Sequence, residues 1–262
     1  MMNSIVTNQH TELLTKPSLL RIYFMEAKCE ILRVLRTPDF TIPALIFPIM
    51  FYTFFGIIFT MGPKMPTYLL ATYGTFGVIG PALFSFGVGI AIERGQGWFD
   101  LKEVSPMPAS AYIIARIAVT FFFSLATVIL LFTMAAVFGG VALFTSQWLL
   151  LATVLILGSL PFCAIGLAIG LYVSSSGAPA IVNLIYLPMA FLSGLWIPIM
   201  MFPELMKTIA NVLPAYHLAQ LSLKVVSMDI GDSVFLHLGV LAAYFILFMF
   251  FAAKAYYKKD KS

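Results

Sequence analysis

Long stretches of this chain carry no charged side chain. Residues 40–63 and 65–92 lack Asp, Glu, Lys and Arg, residues 117–203 continue without charge for 87 positions, and residues 233–253 make a last run of 21. A helix rises about 1.5 Å per residue and needs about 20 residues to cross about 30 Å of hydrocarbon. Each shorter run therefore predicts one crossing and the long run predicts three. The long run is broken where turn-forming residues gather, at Phe138-Gly139-Gly140 through Thr145-Ser146-Gln147 and at Ser174-Ser175-Ser176-Gly177-Ala178-Pro179. The expected spans are 40–60, 67–92, 117–138, 148–173, 180–200 and 233–254.

The more polar segments have patterns of their own. Residues 18–36 place Leu20, Tyr23, Phe24, Ala27, Ile31, Val34 and Leu35 at helical spacing, with Arg21, Glu26, Lys28, Glu30, Arg33 and Arg36 on the remaining arc. This predicts an amphipathic helix on the bilayer surface, anchored to lipid headgroups by Arg21, Lys28, Arg33 and Arg36. Between the second and third spans, Glu93 to Pro108 mixes Trp98, Phe99, Leu101, Val104 and Met107 with charged neighbours and ends at Pro106 and Pro108, which stop a helix. A short helix with exposed aromatics suits the docking of a soluble partner, and an interfacial turn with Trp98 in the aromatic belt fits the same residues. Residues 198–230 hold two short apolar repeats, Leu205/Ile209/Val212 and Leu218/Leu221/Val225, the first opened by Pro203-Glu204 and closed by Pro214. Too short and polar to cross, they predict re-entrant helices that dip into the outer leaflet.

Composition agrees with the pattern. Hydrophobic residues make up 61% and charged residues 10% of the 262 positions, against about 45–50% and about 25% in a soluble domain. The expected fold is an all-α integral membrane protein with six transmembrane helices. Its orientation follows from its cations. Lys16, Arg21, Lys28, Arg33 and Arg36 precede the first span, Arg94, Lys102 and Arg116 lie between the second and third, and Lys254, Lys258, Lys259 and Lys261 follow the last. Those 12 face only Lys64, Lys207 and Lys224 on the other side, which puts both termini in the cytoplasm. Three regions result: a cytoplasmic segment 1–39, a six-helix transmembrane domain 40–254 and a cytoplasmic tail 255–262. The mixed-sign N-terminal region has no small-residue cleavage site after a short apolar core, so no removable signal peptide is expected. The net charge of +4 sits at membrane boundaries and does not indicate nucleic acid.

Little inside the spans could do chemistry. Cys29 and Cys163 are far apart, and His10, His217 and His237 have no metal-ligand spacing, so neither a disulfide nor a metal site is expected. Ser193 precedes Gly194, but GxSxG is missing, and small residues in a span commonly permit close helix packing. His237 has no acidic neighbour inside the membrane and reads as interfacial or as hydrogen-bonded in packing. No intramembrane charge could hold a coupling ion. The P-loop GxxxxGK[ST] is absent, Gly62-Pro63-Lys64 being only superficially similar. Uphill transport by such a chain would draw its energy from another subunit.

At the charged loop and at the fifth span the sequence resembles type-2 ABC exporter permeases. Glu93-Arg94-x-x-Gly97, then Ser105-Pro106 and Arg116 opening the next span, is similar to that family's first cytoplasmic loop. Phe191-Leu192-Ser193-Gly194-Leu195-Trp196-Ile197-Pro198, then Phe202-Pro203 and Leu213-Pro214, is similar to its fifth span and external re-entrant helices. The resemblance covers nearly the whole chain and implies a non-catalytic permease working as a pair, with itself or a homologous permease, beside two ATPase subunits. ATP and magnesium would bind the ATPase, leaving this chain without a cofactor. It also implies a coupling helix from Arg94 to Ser105, with Glu93, Arg94, Gly97, Trp98, Phe99, Leu101 and Ser105 serving the ATPase contact. Trp98-Phe99 departs from the smaller residues common there. The implied location is the bacterial inner membrane.

Substrate is open on sequence grounds. The fifth-span run looks more like drug-type and lipid-type members, which implies export of an amphiphilic or hydrophobic molecule, with Tyr186, Phe191 and Trp196 as path residues. Plentiful Phe and Tyr also fit a polysaccharide or lipid-linked glycan exporter. A non-transporting membrane assembly or immunity protein is the reading from another class.

Overall fold

The computed structural model describes residues 18–98 and 107–259. All regular structure among these residues is helical. α1 spans Leu19–Leu35, and its N-cap Ser18 accepts a hydrogen bond from the Arg21 N–H. α2 spans Pro38–Phe51, with Pro38 in the first turn where its missing N–H costs nothing. It carries Pro43 and Pro48 inside and passes into wide π turns over Tyr52–Ile58. α3 (Met65–Leu83), a wide turn (Phe84–Val88) and α4 (Gly89–Gly95) form one 31-residue rod. Nearly every α3 side chain is buried, which makes this rod the axle of the bundle.

α5 (Ala109–Val137), α6 (Thr145–Gly158), α7 (Leu160–Tyr172), α8 (Ala178–Leu192), α9 (Glu204–Ala210), α10 (Pro214–Val225) and α11 (Val234–Lys259) complete the chain. α1 packs on α5, α3 on α2, α5, α7 and α10, and α11 on α7 and α10. The outer faces are apolar. Phe235, Ile246 and Phe250 of α11, Leu125 and Ile129 of α5 and Leu184 of α8 are exposed, as lipid-facing side chains must be. Five helices, Pro38–Ile58, Met65–Gly95, Ser110–Val137, Thr145–Tyr172 and Val234–Tyr256, are long and apolar enough to cross a membrane, and α8 is a shorter apolar helix.

The chain departs from the expected spans at three places. The third begins at Ala109 rather than 117, because Arg116 sits inside the helix, buried and paired. The fourth is two helices that meet at Ser159, where Pro161 lacks an N–H and the Ser159 hydroxyl donates to the Ile156 carbonyl at 2.7 Å. The fifth ends at Leu192 instead of reaching 200. Gly194 adopts a left-handed φ of +74°, and the Leu195 N–H returns to the Ala190 carbonyl at 3.2 Å, a closed helix C-terminus. Beyond it, the two apolar repeats form α9 and α10.

Candidate functional site

Glu93 and Arg94 close the last turn of α4 and point in different directions. Arg94 donates both guanidinium nitrogens to the C-terminal carbonyls of α7, to Leu171 and, at 2.7 Å, to Val173. Glu93 turns toward α1 and α5. Its carboxylate accepts from Arg116 and Arg33 on one oxygen and from the Tyr112 hydroxyl on the other at 2.7 Å. Arg33 also donates to Glu30 at 2.7 Å, and Arg116 Nε lies 3.6 Å from the same Glu30 oxygen. Arg116 further donates to the Ser85 carbonyl at 2.9 Å, and its guanidinium lies 5.3 Å from the Tyr112 ring centroid.

The result is a neutral set of two carboxylates and two guanidinia that ties three helices together. Glu93 and Arg116 are 2% and 1% exposed, a depth at which unpaired charge would be very costly. Arg33, which α1 was expected to direct at lipid headgroups, instead turns into this cluster. Arg21, Lys28 and Arg36 remain on the exposed surface of α1 beside Leu20, Phe24 and Leu35. After Glu93 and Arg94 the backbone turns at Gly97, whose φ is +75°, and brings Trp98 to the surface at 44% exposure. Phe99, Leu101 and Ser105 lie outside the described residues. A rigid, internally paired base thus sits directly before an exposed indole.

A second feature runs along α3. Tyr186 of α8 stacks on Phe76 with centroids 5.0 Å apart and donates its hydroxyl to the Phe76 carbonyl at 3.0 Å. Gly80 permits this approach, since a Cβ there would stand 3.0 Å from the Tyr186 oxygen. Phe76 meets the Trp196 ring at 5.7 Å, and Trp196 meets Phe191 at 6.3 Å. In the other direction Tyr186 meets Phe84, which meets Phe40 at 6.1 Å. The three aromatic residues expected on a path are therefore links of one chain of rings. Beside it, α2, α3 and α8 leave a groove of about 280 Å³ whose walls include Phe47, Phe76, Phe84 and Tyr186 and whose polar side chains are Asp39 and Asn183. Among the described residues, Ser193 Oγ is buried without a hydrogen-bond partner.

Sequence reading missed Glu30 and Tyr112 as members of the cluster, and Phe76 and Phe84 as links of the ring chain. Glu30 and Arg33 are three residues apart, a pairing distance on a helix, and that spacing was the available signal. Phe76 and Phe84 carried no signal beyond being apolar. Their partners are distant in sequence.

Among known proteins, residues 23–227 match the ABC-2 type transporter family. YvfS of Bacillus subtilis (strain 168), a protein named as a transport permease, is 30% identical over 224 residues, covering 84% of this chain and 91% of that protein. The match takes in α2 to α10, with the Glu93–Arg116 pair and the aromatic chain inside it. An all-helical bundle with several apolar spans and a family match over most of its length gives a multi-pass membrane protein, and the chain belongs to the ABC-2 type transporter family.

Proposed function

We propose that this chain is the membrane permease of an ATP-driven exporter in a bacterial inner membrane. Its termini and the Glu93 end face the cytoplasm, and α9 and α10 lie at the outer leaflet as re-entrant helices. The observation that carries the reading is the buried cluster of Glu30, Arg33, Glu93 and Arg116 immediately before exposed Trp98. A partner ATPase that presses on Trp98 and the loop after it would move α1, α4 and α5 as one body, because ion pairs cross-link them. The 12 to 3 division of cations supports this orientation. Phe99, Leu101 and Ser105 would extend the docking surface, and Arg21, Lys28 and Arg36 would hold α1 at the headgroups. A second permease, a copy or a homologue, would complete the pathway. ATP and magnesium would reside on the ATPase.

The groove favours an amphiphilic or hydrophobic substrate over a glycan. A sugar chain needs many hydroxyl partners, and this wall offers the side chains of Asp39 and Asn183 among aromatic and aliphatic surfaces.

Reconstitution into liposomes tests the reading directly. Efflux of a lipophilic dye is expected only when a partner ABC ATPase and ATP are both present, and full transport without any ATPase overturns it. Trp98→Ala is expected to abolish co-purification of the ATPase while leaving the yield and thermal unfolding of the permease nearly unchanged, since the indole is exposed. Replacing Tyr186 or Trp196 with Leu is expected to change which dyes are exported at least severalfold, read as KM against kcat, while ATPase association persists.

A further inference from the structure

The two histidines of the described chain meet. His217 of α10 and His237 of α11 are 3% and 0% exposed, and their Nδ1 atoms are 2.9 Å apart. The surrounding partners assign the protons. His217 Nε2 lies 2.9 Å from the Asn211 carbonyl, which only accepts, so His217 carries its proton on Nε2 and offers a lone pair at Nδ1. His237 must then donate from Nδ1, which leaves its Nε2 as an acceptor, buried and without a hydrogen-bond partner among the described residues. A basic ring nitrogen with no donor beside it, on one ring of a neutral imidazole pair, is a site for a proton.

We propose that His217 and His237 form a proton-operated latch that holds α10 against α11 and releases it on acidification. The first proton enters at His237 Nε2. It leaves the Nδ1–H···Nδ1 bond in place and makes it charge-assisted. The second can enter only at His217 Nδ1, which is the acceptor of that bond. It removes the link and sets two cations against each other at about 3 Å. His217 keeps its Nε2–H bond to Asn211 throughout, so the loss falls on the α10–α11 contact alone.

The charges that face the pair are few. Asp232 in the turn before α11 acts on both rings, and Asp229 and Lys224 reach His237 while paired to each other at 2.6 Å. Tyr216 packs edge-on to both imidazoles at 5.2 and 6.3 Å, and Tyr68 of α3 lies behind it. Burial depresses the His217 pKa below the usual histidine range, and the Asn211 carbonyl and Asp232 offset this only partly. The folded state therefore prefers the neutral ring. The latch contributes fully above about pH 6.5, the ordinary histidine value, and fades as pH falls below it.

The test uses the full-length chain in lipid nanodiscs and needs no transport activity, so it stands apart from the proposed export function. Ring-¹⁵N histidine spectra at about pH 7.5 are expected to show one Nε2–H and one Nδ1–H tautomer for the pair. Two Nε2–H tautomers, or two rings titrating independently near the ordinary value, overturn the latch. Backbone hydrogen exchange gives the second measure. After correction for intrinsic rates, residues 214–225 are expected to exchange about tenfold faster near pH 5 than near pH 7.5. His237→Gln, whose amide donates to neutral His217 and can turn its oxygen to accept from the protonated ring, and His217→Phe are expected to abolish that acceleration. An acceleration equal in wild type and both variants refutes the proposal, and the wild-type spectra decide it if the variants do not fold.

Discussion

Replacing Arg116 with methionine is expected to lower the stability of the permease by about 3–5 kcal/mol, the cost of breaking a buried ion pair by removing one partner. Methionine fills much of the same volume, so the loss isolates the charge. It strands Glu93 at 2% exposure with Arg33 as its remaining cation, and Arg33 is itself about one-third exposed and shared with Glu30. Two hydrogen bonds, to Glu93 and to the Ser85 carbonyl, vanish together with the ion pair to Glu30. Arg116→Lys should recover only part of the loss, since a compact ammonium lacks the spread of the planar guanidinium that reaches the Ser85 carbonyl and Glu93 from separate nitrogens. The double variant Arg116→Met with Glu93→Gln should be more stable than Arg116→Met alone, because the stranded carboxylate is gone. Thermal unfolding in detergent is the measurement. A double variant no better than the single one would show that the cluster is not held by these charges.

The cluster also marks the boundary of what the sequence makes legible. Charge-free length, with turn residues dividing the longest run, located the five helices long enough to cross, because about 20 residues of helix is what hydrocarbon thickness demands. α9 and α10 followed from apolar spacing between prolines. The fifth span was carried past Leu192, where Gly194 closes the helix, and the third was started too late. A rule that reads charge as the end of a span cannot see that Arg116 enters the bundle when Glu93, 23 positions earlier, comes to meet it. Arg33 was assigned to lipid because an arc of charge on an amphipathic helix normally faces water or headgroups. Here α5 supplies a polar surface of its own in Tyr112 and Arg116, and α1 turns Glu30 and Arg33 inward to match. The His217–His237 bond was equally out of reach, because only the fold brings α10 onto α11. Tyr186 and Trp196 were named for their place in the fifth span, but Phe76, the ring that joins them, is more than a hundred residues away.

Gly170→Ala is expected to destabilise the protein by about 3 kcal/mol, at the upper end of the range for overpacking. α7 carries Gly166 and Gly170 one turn apart, and both lie against the wide turn of the axle helix. A Cβ on Gly170 would stand 2.6 Å from the Phe86 carbonyl oxygen and 3.0 Å from that of Gly87, and one on Gly166 would stand 3.0 Å from the Leu83 carbonyl oxygen. These neighbours are backbone, so no rotamer change relieves them. Small residues four apart are how membrane helices bring their backbones together when lipid gives no hydrophobic drive for association. Two further glycines calibrate the effect. A Cβ on Gly74 would meet the end of the Leu155 side chain at 2.9 Å, which can swing aside, and a Cβ on Gly239 would meet nothing within 4 Å. Alanine gains up to about 1 kcal/mol over glycine in a helix interior. Gly239→Ala should therefore raise thermal stability and Gly74→Ala should leave it nearly unchanged. Gly170→Ala should lower it despite the same propensity gain. Equal effects at all three positions would show that α7 and the axle are not in backbone contact. The ordering matters beyond stability, because α7 also receives Arg94 on its C-terminal carbonyls. The turn that Gly170 lets α7 approach continues directly into Glu93, so a push at the charged end has a close-packed path along the axle to the aromatic groove.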